Sequence, residues 1–229
     1  MKTKRMILAL ISIALIAFTS CEKDDLGEPV LQLEFKTVTS EFTLKNTSVA
    51  ANNVKFDSGH IILESIEFEL ESDTDSLEME FEMDSYITVD FATGETNPDL
   101  SFVRLRQGIY TEMEFEMELW DQTNQPSIVL NGSWADEDGT LHPVRFEFDS
   151  GQSFSVEIEG NFVVDENTSM VAEVNLDPGI WFSGVTKKAF SSATKNNEGV
   201  IVISSEENEE IYDTVEDMID LVSEVEIEM

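Results

Sequence analysis

SFVRLRQGIYTEMEFEMELW, residues Ser101–Trp120, is the stretch on which the fold turns. Ile109, Met113, Phe115, Met117 and Leu119 share one parity, while Glu112, Glu114, Glu116 and Glu118 take the other. Successive side chains of a strand point to opposite faces, so this pattern predicts a long strand with an oily face and a carboxylate face. Gly108, just ahead of it, is expected to supply a positive φ that turns the backbone into the strand.

The same alternation recurs on both sides. Ile62, Ile66, Phe68 and Leu70 alternate with Ser65, Glu67, Glu69 and Glu71. After a turn at Asp73–Ser76, Leu77, Met79, Phe81 and Met83 alternate with Glu78, Glu80 and Glu82, so the two runs predict a hairpin. Val30–Phe35 and Glu41–Leu44 are shorter strand candidates, and Ile87, Val89 and Phe91 extend the pattern. Ile128–Trp134 and Val144–Phe148 flank the turn sequence Asp136-Glu137-Asp138-Gly139. Phe154, Val156 and Ile158 form one more strand, and Met170, Ala172, Val174 and Leu176 another, stopped by Asp177-Pro178-Gly179. Many short strands separated by such turns predict a mainly β domain over 30–185, an antiparallel β-sandwich.

Past Val185 the chain changes character. Residues 186–199 are polar, carry Lys187, Lys188 and Lys195, and read as a linker. Within 200–229, Val200–Ile203 is strand-like, and Ser204 with Glu207 has the spacing of a capping box. Ile211, Val215, Met218, Ile219 and Val222 then recur at helical spacing, which predicts a C-terminal amphipathic helix of about four turns. Its polar face is acidic, so it is expected to pack on the domain rather than on a membrane.

Residues 1–20 have the layout of a secretory signal. Lys2, Lys4 and Arg5 are followed by the apolar run Ile7–Phe18, which as a helix spans about 18 Å against a bilayer core of about 30 Å. Phe18-Thr19-Ser20-Cys21 follows and resembles a bacterial lipobox, with Phe18 in place of the usual Leu. The resemblance makes Cys21 the lipidated first residue of the mature chain. Residues 21–29 are then an acidic tether, whose Glu22-Lys23-Asp24-Asp25 resembles the export tag of surface lipoproteins of the Bacteroidota. Together these features imply an outer-membrane protein, lipid-anchored and facing the cell exterior. Cys21 is the only cysteine, so no disulfide forms within the chain and the fold rests on its core.

Of 229 residues, 48 are Asp or Glu and 13 are Lys or Arg, a formal charge of −35 that becomes −38 once Lys2, Lys4 and Arg5 leave with the leader. Such a field repels nucleic acid and anionic lipid and favours divalent cations or a basic protein partner.

Leu105-x-x-Gly108-x-Tyr110, the strand start Ser58-Gly59-His60-Ile61, and Asp177–Val185 with Trp181-Phe182 resemble a family of Bacteroidota cell-surface lipoproteins. That family carries a β-sandwich domain of unknown function likened to immunoglobulin or transthyretin folds. The resemblance runs from about Val30 to the C-terminus and implies a surface lipoprotein without supplying any chemistry.

No metalloprotease, nucleophile-elbow or phosphate-loop motif occurs. His60 and His142 sit at apparent strand starts with no ligand spacing around them. The residues therefore point to a non-catalytic binding or structural module, with no enzyme and no cofactor expected. Two alternatives stay open: a polysaccharide-capturing module, and a glycan hydrolase working through a pair of the many carboxylates. Asp136 and Asp138 are candidate calcium ligands, although the turn lacks the bidentate Glu of a full calcium loop. Trp120 and Trp134, at strand ends, are candidate glycan-binding residues, against a packing role for both.

Overall fold

The computed structural model describes residues 28–45, 53–72, 78–100, 103–121, 125–149, 151–166, 168–219 and 225–228. The leader, Cys21, the acidic tag, the Asp73–Ser76 turn and Val222 lie outside them.

The organising strand is β3 (Asn53–Glu71), nineteen residues long. One of its sides carries β7 (Gly108–Leu119) beside residues 63–71 and then β8 (Ile128–Ala135) beside residues 54–61. β7 and β8 thus lie end to end along a single neighbour. At the junction Ile62 uses both of its main-chain groups: its carbonyl accepts from Trp120 N–H at 3.0 Å, and its N–H donates to Ser127 O at 2.7 Å. On the other side of β3 lie β4 (Met79–Asp90), as the expected hairpin, and the short β2 (Phe42–Thr43). The sheet continues outward through β10 (Ser153–Val164) beyond β7, and through β9 (Leu141–Phe148) and β12 (Ile201–Ile203) beyond β8. β5 (Thr96–Asn97) pairs with β4.

A strand this long keeps one oily face only by shedding residues from the ladder. The core-facing residues of β3 are Val54 and Phe56, then Ile61 and Leu63, then Ile66, Phe68 and Leu70, so the parity changes twice. The changes coincide with register breaks at Phe56/Ser58 and Leu63/Ser65, where exposed Asp57 and Glu64 are the extra residues. A one-residue bulge rotates the following side chains to the opposite face. Ile62, expected on the oily face, is buried but lies outside the main core. β7 shows the same effect at its start. Tyr110 is buried and Ile109 is 60% exposed, facing the equally exposed Val163, because β10 breaks register between Glu159 and Phe162. Ile109 therefore does not belong to the oily stripe. Gly108 has no positive φ and pairs with Val164 inside the ladder. Positive φ occurs instead at Gly59, inside β3, and at Gly94, Gly139 and Gly199.

A second sheet joins β1 (Val30–Thr37), β11 (Ser169–Leu176), β6 (Val103–Arg104) and β13 (Val225–Glu228) in the order β13-β11-β1-β6. Leu31, Phe35, Met170, Ala172 and Val174 from this sheet share one core with the inward residues of the first. The expectation of a purely antiparallel architecture is corrected at two places: β1 runs parallel to β11, and β12 parallel to β9. Both pairings join segments distant in sequence, which no hairpin pattern announces. The chain is mainly β with mixed sheets and a few short helices.

Those helices cover an aromatic cluster on the first sheet. In α1 (Pro178–Trp181), Asp177 caps the start by accepting from Gly179 N–H at 2.7 Å. The following Phe182 is fully buried, with its ring 5.2 Å from Phe56 and 5.3 Å from Phe146. The stretch read as a linker holds α2 (Lys187–Ser192), capped by Thr186, whose hydroxyl accepts from Ala189 N–H. Phe190 of α2 is 1% exposed, 5.6 Å from the Trp134 ring. A single aromatic in a polar stretch was enough to anchor it. The amphipathic helix, α3 (Glu209–Ile219), buries Ile211, Tyr212, Val215 and Ile219. It begins later than the capping-box spacing predicts. Ser204 closes a turn by accepting from the amides of Glu206 and Glu207, and α3 starts after Asn208, which has φ 56°.

Candidate functional site

Glutamate disfavours a buried strand face, so each Glu of the alternating runs is turned to the outside of the first sheet. The strand registers then align these residues in rows across β10, β7, β3 and β4. Glu157, Glu114, Glu69 and Glu80 make one row. Ser155, Glu116, Glu67 and Glu82 make the next, and Glu159, Glu112 and Glu71 a third. Carboxylate oxygens of Glu67, Glu69 and Glu80 lie within 4.8 Å of one another. Directly opposed residues sit about 5 Å apart, where repulsion between unit charges in water is about 0.8 kcal/mol and is reduced by salt.

Burial and neighbouring carboxylates together disfavour ionisation of individual groups on this face. Partial burial, then Glu67, pushes Glu69 above the ordinary carboxylate range. Asp84 does the same to Glu82, and burial with Glu157 and Glu71 to Glu112. A shallow depression of about 320 Å³ lies at the end of the rows, lined by Glu69, Glu71, Glu78, Glu80, Leu70 and Met79. Chemically the face offers concentrated negative charge: it can attract cations or basic side chains, and its named rows contain glutamates and Ser155 without a histidine.

The expected ligand residues fall elsewhere. Asp136 and Asp138 occupy the β8–β9 turn, where Gly139 has φ 76°. Asp136 Oδ1 accepts from the amides of Asp138 and Thr140 at 3.0 and 2.8 Å, and Oδ2 lies 2.9 Å from His142 Nε2. These bonds hold the Asp136 carboxyl below its ordinary range, the His142 bond contributing most. Asp136 is thus already engaged in closing its own turn, while Asp138 is exposed. His142 Nδ1 is 2.8 Å from Lys195 Nζ, so an Asp–His–Lys chain ties the turn to the segment after α2. Sequence spacing missed it, because Asp136 meets His142 only across the hairpin and Lys195 arrives from 53 residues away. His60 lies in the middle of β3 rather than at a strand start, opposite Asp90. Burial, then the Arg145 charge, lowers its pKa, with Asp90 acting the other way.

The three tryptophans do not form one exposed row. Trp134 is 5% exposed and packs on His142 and Phe190; Trp181 is buried as well. Trp120 is half-buried and meets Tyr86, which is 45% exposed, edge to face at 5.1 Å. Gln125 Nε2 donates to the Tyr86 hydroxyl at 3.2 Å. The indole N–H of Trp120 is shut from solvent without a partner. Cys21 lies outside the described residues. Comparison with protein-family models, with curated proteins and with solved structures finds no match.

Proposed function

We propose that this protein is a lipoprotein of the bacterial outer membrane, anchored through Cys21 and facing the cell exterior, that acts as a non-catalytic binding module. Its domain is read as a two-sheet sandwich of the immunoglobulin or transthyretin kind. The observation that carries the binding reading is the contiguous carboxylate face on β10, β7, β3 and β4, where registers align glutamates in rows and Glu67, Glu69 and Glu80 bring carboxylate oxygens within 4.8 Å of one another. A divalent cation or a basic protein surface offsets that charge and stabilises the fold by mass action. The lipobox Phe18–Cys21 and the acidic residues after it support the anchored, outward-facing placement. From Cys21 to Val30 the extended chain reaches at most about 30 Å, which keeps the domain close to its membrane.

Two experiments test the two halves of this reading. Cys21→Ala should move the protein from the membrane to the soluble fraction, and a variant that stays in the membrane fraction removes the anchor. Millimolar calcium should raise the melting temperature beyond the effect of sodium chloride at equal ionic strength. Equal shifts from both salts reduce the effect to screening.

A second reading, polysaccharide capture, draws on the exposed Tyr86 ring against Trp120. Trp120→Ala should then abolish retention on an immobilised glycan while leaving the calcium response intact.

A further inference from the structure

β10 is an outer strand of the first sheet, and among the described residues only β7 pairs with it. Its register with β7 shows where its main-chain groups point. Leu119 N–H donates to Gln152 O at 2.9 Å, and these two residues stand opposite each other one step beyond the Ser153–Glu118 pair. In an antiparallel ladder such bonded pairs recur at every second residue. The main chain of Phe154, Val156 and Ile158 therefore bonds to β7, while Ser153, Ser155, Glu157 and Glu159 turn their N–H and C=O groups away from it. All four are exposed, and the pairing is regular until the break after Glu159. The sheet thus ends in a row of main-chain donors and acceptors that no described residue satisfies.

Such an edge is a template for one more strand, and side-chain chemistry selects which. Glu157 pairs with Glu114 and Glu159 with Glu112, so carboxylates two strands deep stand behind the free row. A strand added here places every second side chain beside Glu157 and Glu159, at the spacing where charges on neighbouring strands interact. A second copy of this chain, entering through its own β10, would set carboxylates against carboxylates, which disfavours that pairing. A strand with Lys or Arg at every second position sets opposite charges there instead. Its remaining side chains fall on the other face, next to Phe154, which is half-buried against the core, so apolar residues suit them.

We propose that the free edge of β10, Ser153–Glu159, takes up an extended segment of a basic partner protein as an additional strand. The inference rests on the reading of the carboxylate face as a docking surface, and it narrows the partner to a segment that alternates basic and apolar residues. Main-chain hydrogen bonds to the free row supply affinity, and the glutamates select the charge.

Hydrogen exchange of the full chain with a short synthetic peptide alternating Lys and Val tests this, against a peptide of the same composition with its lysines in one block. The outward amides of Ser155 and Glu157 are expected to exchange about tenfold or more slowly with the alternating peptide and to be unchanged with the block peptide. Ser155→Pro removes an outward N–H without costing a bond to β7, and should weaken binding about tenfold or more. Glu157→Gln combined with Glu159→Gln should weaken it severalfold and flatten its salt dependence. N-methylation of one alternate set of peptide amides should abolish binding, and methylation of the other set should leave it intact. Equal affinity for the two peptides, binding that leaves the Ser155 and Glu157 amides unprotected, or no binding of the alternating peptide overturns strand addition. The calcium shift of the melting temperature, measured on the same protein, reports separately on the charged face. If Ser155→Pro fails to fold, equal binding of the two methylated peptides overturns the proposal.

Discussion

Single residues decide how closely the strands of the first sheet approach. Gly59 combines a φ of 145° with a packing limit: a Cβ there would lie 2.0 Å from Val129 O. Across the same seam a Cβ on Gly132 would lie 1.9 Å from Lys55 O. Both glycines therefore mark where β3 and β8 touch backbone to backbone beside the Phe56/Ser58 bulge. Gly59→Ala is expected to cost at least about 2 kcal/mol in urea unfolding, through backbone strain and displacement of β8. A cost near zero would mean that the seam yields freely. Gly139, with nothing within 4 Å of its would-be Cβ, is the contrast: its φ of 76° alone is at stake, so Gly139→Ala should cost about 1 kcal/mol.

At the scale of elements, α2 separates what patterning can and cannot reveal. Its only buried side chain is Phe190, flanked by lysines and serines, so neither period nor composition distinguishes it from a tether. Phe190→Ala is expected to destabilise the fold by about 3–5 kcal/mol, whereas Ser192→Ala on the exposed face should change stability by less than about 0.5 kcal/mol. Equal, small effects would return the segment to a linker. The long strands were legible because a Glu at every second position can only mean one wet face. Their bulges were not, since Asp57 and Glu64 interrupt the parity by one residue without changing composition. The parallel partners of β1 and β9 were hidden for another reason: Val30 meets Ser169, and Val144 meets Ile201, through contacts that no local signal encodes. The same limit concealed the Asp136–His142–Lys195 chain, although Asp136 and the carboxylate face could be named from sequence.

For the whole molecule, net charge and titration combine into an unusual pH response. Glu69, Glu82 and Glu112 have raised pKa values, so near their titration the folded state binds more protons than the unfolded one. Stability then rises as pH falls from neutral into that range. Asp136 acts in the opposite sense: its contribution is complete above the ordinary carboxylate value and is lost as pH drops toward its lowered one. The melting temperature at constant ionic strength is therefore expected to climb on mild acidification, pass a maximum, and decline at lower pH. A steady decline from neutrality would show that the carboxylate rows impose no cost. The second sheet carries a different consequence. All eight residues of β1 pair in parallel with β11, and β1 begins nine positions after Cys21. Under the anchor proposed at Cys21, a pull on the molecule would enter the described domain at the start of β1. The hydrogen bonds to β11 lie across the strand, so a load directed along β1 would stretch them as a set rather than unzip them one by one.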